Sequence, residues 1–330
     1  MNYYGLYPQF RISVRTLSLH DRRSLVSVDS MLQPDNVTAM TFPPLAPVVR
    51  AVLDARARGC PVIVFTGAHL IKSGLSLLLI DLMRRGLVSL VATTGAGMTH
   101  DFELAFAGAT SEDVVESLPK GQFGMARETA LYMNRAFRAA IDRGIGAGEA
   151  LGRLVLGEAL PEVITCARPD VSIAAAGITY RVPVTMHASI GTDVIDQHSS
   201  FDPEAKGGAS GFDFRVFVTQ ACYLAGGVFL NIGSAVQGPE VFLKAVSMAT
   251  NVGHPPLGLT TASFDLRPLS EGAEGYYCRD QKTVVRRVPE AFKGVGHYVQ
   301  GLLQETIPAL YKGLVDGFVE RGFHEGRSDL

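Results

Sequence analysis

The chain has 330 residues, 47% of them hydrophobic and 19% charged, enough apolar content for one large α/β core or two closely packed ones. A formal net charge of -2 argues against a nucleic-acid surface or a polybasic membrane contact. The four cysteines, Cys60, Cys166, Cys222 and Cys278, form no CxxC pair and read as reduced thiols, neither disulfides nor a zinc set.

Residues 1–15 lack a continuous apolar stretch of signal-peptide type. The apolar run 75–83 is too short to span a bilayer and ends in Arg84 and Arg85, so a cytoplasmic protein without membrane contact is expected. Residues 1–40 read as an amino-terminal arm and 41–330 as a single domain. The periodicity predicts a helix over 46–58, stopped by Gly59, then a buried strand over 61–65. Thr66-Gly67-Ala68-His69 follows, then a helix over 70–85 closed by Gly86 and a second buried strand over 87–93. Alternation of helix, strand and loop with short connections is the grammar of a Rossmann-like, doubly wound, mainly parallel sheet with helices on both faces.

The second strand runs into Gly95-Ala96-Gly97 and then Thr99, His100 and Asp101 as a new helical pattern begins. Small residues at the carboxyl end of a parallel strand let a ligand approach the backbone, whose free N–H groups can hold phosphate. Farther on, helices are expected over 122–143 and 149–155, and strand character over 178–186. A polar constellation follows, from His187 through Asp193 to His198, again just past a predicted strand. The stretch 206–211, rich in glycine, reads as a loop ahead of a helix over 212–225. Gly226-Gly227 opens a strand over 228–231, a helix covers 240–249, and a strand covers 257–261 with Thr261 to Asp265 at its end. A polar segment with Tyr276, Tyr277 and Lys282 leads to a last helix over 298–321.

No GxGxxG follows the first strand, and Gly95-Ala96-Gly97 matches only the opening of that pattern. HExxH and GxSxG are absent, so neither a zinc peptidase nor a serine hydrolase is indicated, and no metal is expected. His187 and His198, in a polar loop, fit hydrogen bonding to a substrate better than a metal.

Taken together, Gly67 to Gly74, the Val-Ala-Thr-Thr-Gly-Ala-Gly run at 91–97, Val182-Pro183-Val184 leading to Asp193, Gly226-Gly227, and Thr261-Ala262 with Phe264-Asp265 resemble the deoxyhypusine synthase family in order and spacing. The resemblance spans most of the chain. It implies a homotetramer of Rossmann-like subunits that uses NAD to oxidise spermidine, transfers the aminobutyl group through an imine to a lysine of a translation factor, and returns the hydride. On that basis Ala68, His69, Leu70, Ser73, Thr94, Gly95, Ala96, Gly97, Gly227, Thr261, Ala262 and Asp265 would line the dinucleotide. His100 and Asp101 stand where the family places acidic residues near ribose and amine, and Asp193 matches an aspartate that holds the polyamine. A buried cationic amine needs such carboxylates, because an unpaired buried charge is costly.

Lys282 falls close to the family's imine-forming lysine, which must be neutral to attack. This chain departs from the family pattern around it. It contains no tryptophan, Glu271 and Glu274 are off register, and Asn231 or Ile232 stands near an expected histidine. Tyr276 and Tyr277 offer a substitute aromatic wall for a cation. The departures fall on the acceptor side, so transfer to a small amine, as in homospermidine formation, is an alternative to a protein lysine. An NAD-dependent amine dehydrogenase and a non-catalytic NAD- or amine-binding homologue are the others.

Overall fold

The computed structural model describes residues 13–38, 41–269 and 276–325, with the short strands Tyr3–Tyr4 and Tyr7–Pro8; of Tyr276 and Tyr277 it describes the backbone only. Six parallel strands make the central sheet: β1 (Val62–Thr66), β2 (Leu90–Thr94), β3 (Val184–His187), β4 (Val228–Ile232), β5 (Thr260–Asp265) and β6 (Val295–Gln300). Their order across the sheet is β3-β2-β1-β4-β5-β6, the doubly wound Rossmann order. Every residue of β1 and β4 is buried, which is why both read as continuous apolar runs instead of alternating ones.

The helices are α1 (Ala46–Ala57), α2 (Ala68–Lys72), α3 (Ser76–Arg84), α4 (Gly95–Ala107), α5 (Val114–Ser117), α6 (Arg127–Arg143) and α7 (Ala147–Val155). After them come α8 (Ile173–Thr179), α9 (Pro203–Ala221), α10 (Gln237–Asn251), α11 (Tyr276–Lys282), α12 (Val288–Ala291) and α13 (Leu303–Glu320). They cover both faces of the sheet. Val62 and Val64 of β1 face a core shared with Val48 and Val52 of α1 and Leu310 and Leu314 of α13. Ile63 and Phe65 face the opposite core, with Phe217 of α9 and Phe242 of α10. There the Phe229 and Phe242 rings stack with centroids 3.8 Å apart.

Several expectations change. The helix expected over 70–85 is two helices, because Gly74 turns the chain at φ +71. Helix α4 starts at Gly95, directly after β2, with Thr94 Oγ1 capping the Gly97 N–H. The stretch 206–211 is not a loop but the interior of α9. Asp202 caps its start, Pro203 occupies its first turn, and Gly208 packs so near α6 that a Cβ there would lie 2.6 Å from Ile141 Cδ1. Finally, residues 295–300 form the sixth strand ahead of a shorter last helix.

The described part of the amino-terminal arm packs on the domain. Ser24–Ser27 pairs antiparallel with Ala109–Glu112, and Arg22 forks onto Glu103 of α4 at 2.8 and 2.7 Å.

Candidate functional site at the switch point of the sheet

Strand order reverses between β1 and β4, so the turns after these strands diverge to opposite faces and leave a crevice at their carboxyl ends. The two turns touch at the base of the crevice. Gly67 N donates to Ile232 O at 3.0 Å, and any Cβ on Gly67 would overlap the Gly233 carbonyl. Beyond the ends of β1, β4, β5 and β6 opens a cavity of about 560 Å³, lined among others by His69, Ser73, Gly233, Asp265, Leu302 and Leu303. Gly233 adopts φ +62, and a Cβ there would crowd Leu303 Cδ1 at 3.2 Å, so glycine keeps this corner open. Gly301 N donates to Asp265 O, which places the start of α13 on the cavity wall. No described side chain caps α13, while Glu305 and Thr306 N–H groups return to Leu302 O. Its first amides, at Leu303 and Gln304, therefore have no partner within the helix.

Of the residues proposed for the dinucleotide, His69, Ser73 and Asp265 meet in this cavity. Ala68 is in the same turn, whereas Leu70 is buried in the core. Thr94, Gly95, Ala96 and Gly97 stand at the end of β2, one strand over. Gly227, Thr261 and Ala262 do not join them. Gly227 precedes β4 at the amino end of the sheet, where a Cβ would lie 2.5 Å from Pro61 O, so its small size serves strand packing. Because β5 runs on to Asp265, Thr261 and Ala262 are inside the sheet, fully buried, with Thr261 Oγ1 donating to Val284 O at 2.6 Å.

Gly95 and Gly97 are explained by protein atoms. A Cβ on Gly95 would overlap the Asp193 carboxylate, and one on Gly97 would overlap Thr93 Oγ1. Asp193 belongs to a buried charge cluster that the sequence reading missed. Lys206 of α9, with no exposed surface, donates from Nζ to Asp193 Oδ2 at 2.8 Å, Asp196 Oδ1 at 2.5 Å and Ser189 O at 3.4 Å. Asp196 Oδ2 also accepts from Gly191 N at 2.7 Å. Burial holds the Asp193 carboxyl above its ordinary range, with Lys206 pulling the other way and Asp196 adding to the rise. The Asp202-Pro203 helix start was the signal available in the sequence. It puts Lys206 on the stripe of Ala205, Ala209, Asp213 and Phe217 that α9 buries.

His100 and Asp101 lie side by side on α4 but serve different networks. Asp101 accepts from Ser172 Oγ, Ile173 N and Ala174 N at 2.6, 2.7 and 3.2 Å, which caps α8 and anchors it to α4. Burial pushes its carboxyl up to about 6 against those hydrogen bonds. His100 Nδ1 lies 2.7 Å from Thr110 Oγ1, which in turn donates to Glu103 Oε2 at 2.6 Å. Burial lowers the His100 imidazole to about 4; Glu103 opposes the shift, and Lys72, Arg22 and His69 add to it.

His187 sits in an aromatic cage, its ring 5.4 Å from both Phe65 and Phe217, and burial lowers it to about 3. Its backbone carbonyl accepts from Gln237 Nε2 at 2.5 Å. His198 Nδ1 accepts from Ser200 N at 3.0 Å and closes a turn. Both were expected to meet substrate; their hydrogen bonds and packing are internal.

On α11 Asp280 and Gln281 are buried, next to half-buried Lys282. Gln281 Nε2 donates to Ser234 O at 3.2 Å and Ala235 O at 2.8 Å, while its Oε1 accepts from Ser263 Oγ. Asn231 Nδ2 joins the same group, donating to Ser234 O and Ser263 Oγ, both at 2.9 Å. Helix α11 is thereby locked onto the turn that floors the crevice. The side chains of Tyr276 and Tyr277, and Glu271 and Glu274, lie outside the described residues.

Among the described residues no group of three or more His, Cys, Asp or Glu could hold a metal ion, and no helix is long and apolar enough to cross a membrane. No family model matches the chain, and no curated protein matches it. Several solved structures match it at low sequence identity. A candidate LOR/SDH protein from Methanococcus maripaludis S2 is 12% identical, with 85% of this chain and 72% of that one covered and a TM-score of 0.48. AgrE, solved with ornithine and NAD+, is 12% identical over 86% of this chain, at a TM-score of 0.46. A candidate deoxyhypusine synthase from Entamoeba histolytica is 9% identical over 78% of this chain and 76% of that one, at 0.41. The chain spans about a third of the length of AgrE and of the cyanobacterial arginine dihydrolase ArgZ.

Proposed function

We propose that this chain is an NAD-dependent enzyme acting on an amine, and that its reaction is aminoalkyl transfer from a polyamine such as spermidine through an imine. The observation that carries the reading is the switch-point cavity itself. Its apolar walls, Phe264, Leu266, Leu302 and Leu303, suit a planar ring, and Asp265 at the end of β5 suits the hydroxyls of a ribose. The uncapped start of α13 suits a phosphate, because its amides and the helix dipole favour negative charge. The donor set therefore fits a dinucleotide without a GxGxxG turn. When bound, NAD supplies a hydride acceptor and returns the hydride, so net redox change is nil.

The rest of the reading concerns the amine. Asp193 and Asp196 with Lys206 carry two carboxylates against one ammonium, leaving a buried site one positive charge short at the end of β3. An incoming ammonium would complete that balance. Lys206 has an acceptor for each of its three N–H bonds and serves as a structural cation, not as a nucleophile. The resemblance implies Lys282 for imine capture, in a homotetramer whose acceptor is a protein lysine or a small amine. A second reading, direct transfer to a small amine without a covalent lysine, is favoured by one observation: Gln281 is fully buried against the turn after β4, whereas Lys282 beside it is only half-buried.

Two measurements test this. Calorimetry should return a heat of binding for NAD+, and its absence would refute the cofactor. Mass spectrometry of products from spermidine, putrescine and NAD+ should show transferred aminobutyl groups without stoichiometric NADH. Steady NADH accumulation would instead establish a dehydrogenase.

A further inference from the structure

The sheet ends at β3, whose outer edge is closed by side chains over only part of its length. Val91 N donates to Pro183 O, and that parallel register turns the backbone groups of Val184 and Met186 away from β2. Helix α9 serves one of the two residues. Asp213 Oδ2 accepts from Met186 N at 2.8 Å, and Ser210 Oγ donates to Met186 O at 2.9 Å. At Val184 the carbonyl is covered by Gly148, whose Cβ would lie 1.9 Å from the oxygen, while the N–H meets no acceptor among the described residues. Val184 is buried, and a buried N–H without an acceptor is rare.

Val184 lines a cavity of about 460 Å³ between β3, α7, α8 and α9, a volume typical of small-molecule sites. Two charged groups of its lining are also short of a partner. Asp213, 2% exposed, accepts from Gly148 N at 2.9 Å as well, but no described cation pairs with its carboxylate. Arg181 is exposed, pairs with no described acid, and holds a left-handed backbone at φ +55 that few non-glycine residues adopt. The other charged residues of the lining, Glu149 and Arg153, pair with each other at 2.8 Å. Ile178, Val182 and Val216 give the wall an apolar stretch. We infer that this cavity binds an aliphatic α-amino acid, with its ammonium on Asp213 and its carboxylate shared by the Val184 N–H and the Arg181 guanidinium. Only a zwitterion supplies what both ends lack. An amine leaves Val184 and Arg181 unserved, and an organic anion sets a second negative charge beside Asp213. The site lies at the edge of the sheet opposite β6, apart from the switch-point cavity, and does not depend on the amine chemistry proposed there.

The test is calorimetry of the full chain with three matched probes: L-leucine, isopentylamine, which lacks its carboxylate, and 4-methylpentanoate, which lacks its ammonium. Leucine should bind, and each truncated probe should bind weaker by about tenfold or more, the worth of a lost charge-assisted hydrogen bond. Arg181→Gln, an exposed change, should weaken leucine by about tenfold and leave isopentylamine unchanged. Asp213→Asn should weaken leucine and leave 4-methylpentanoate unchanged or tighter. Absence of heat from leucine would overturn the inference, as would either truncated probe binding as tightly as leucine. Leucine binding that survives Arg181→Gln in full would also overturn it, by locating the amino acid elsewhere. That variant reads out whether or not Asp213→Asn folds.

Discussion

The fully buried Lys206 ammonium lies 2.8 Å from the Asp193 carboxylate, and that carboxylate occupies the space a side chain on Gly95 would need. One ion pair thus ties α9 to the start of α4. Breaking it by Lys206→Met leaves Asp193 and Asp196 buried without a counter-charge, at an expected cost of about 3–5 kcal/mol. Chemical denaturation should show Asp196→Asn costing less in the Lys206→Met background than alone. Strict additivity would mean the two residues do not share a site.

Gly95→Ala and Gly207→Ala should have opposite signs. The first pushes a methyl into the Asp193 carboxylate and should destabilise by about 1–3 kcal/mol. The second places a methyl in open space inside helix α9 and should stabilise by about 0.5–1 kcal/mol. Midpoints of urea unfolding decide both, and a destabilising Gly207→Ala would argue against a continuous α9.

Asp265→Ala should weaken NAD+ by roughly tenfold to a hundredfold, the value of about 1.5–3 kcal/mol for hydrogen bonds to a charged group. Calorimetry reads this directly. Unchanged affinity would remove Asp265 from the cofactor site.

His187→Phe should alter the acid limb of stability. With its folded pKa pushed down to about 3 by burial, His187 stays neutral while the unfolded chain takes up a proton below about pH 6.5. The unfolded state then binds more protons, so this residue makes stability fall as pH drops from 6.5 toward 3. The variant lacks that loss, and its stability relative to wild type should rise steadily across the window and be level above pH 7. Asp213, accepting from Gly148 N and Met186 N, acts in the other direction. Burial raises it to about 7, so its folded form keeps a proton that the unfolded chain sheds above about pH 4. Asp213→Asn should therefore gain on wild type as pH climbs from 4 to 7. A flat difference in either comparison would contradict the corresponding burial.

Much of the architecture was legible from the chain alone, because buried parallel strands need unbroken apolar runs such as 62–65 and 228–230, and helices need stops such as Gly59 and Gly144. The small-residue turns after β1 and β2 were legible for the same local reason. Less visible was β6, whose Val295–Gln300 run is largely exposed or half-buried and so lacks a strong apolar signature. Glycine content misled at 206–211, which is helical although only Gly208 packs closely against α6 while Gly207 and Gly211 face open space.

Local sequence thus determined the doubly wound sheet and the strand ends where a ligand would enter. Only the folded arrangement decided what the conspicuous polar residues do there. Hydrogen-bond and charge partners are set by distances between residues far apart in sequence: Asp101 with Ser172, Asp213 with Gly148, Arg22 with Glu103. A histidine or carboxylate looks the same in a string whether it meets a ligand or a helix end, and the difference lies in which neighbours remove it from water.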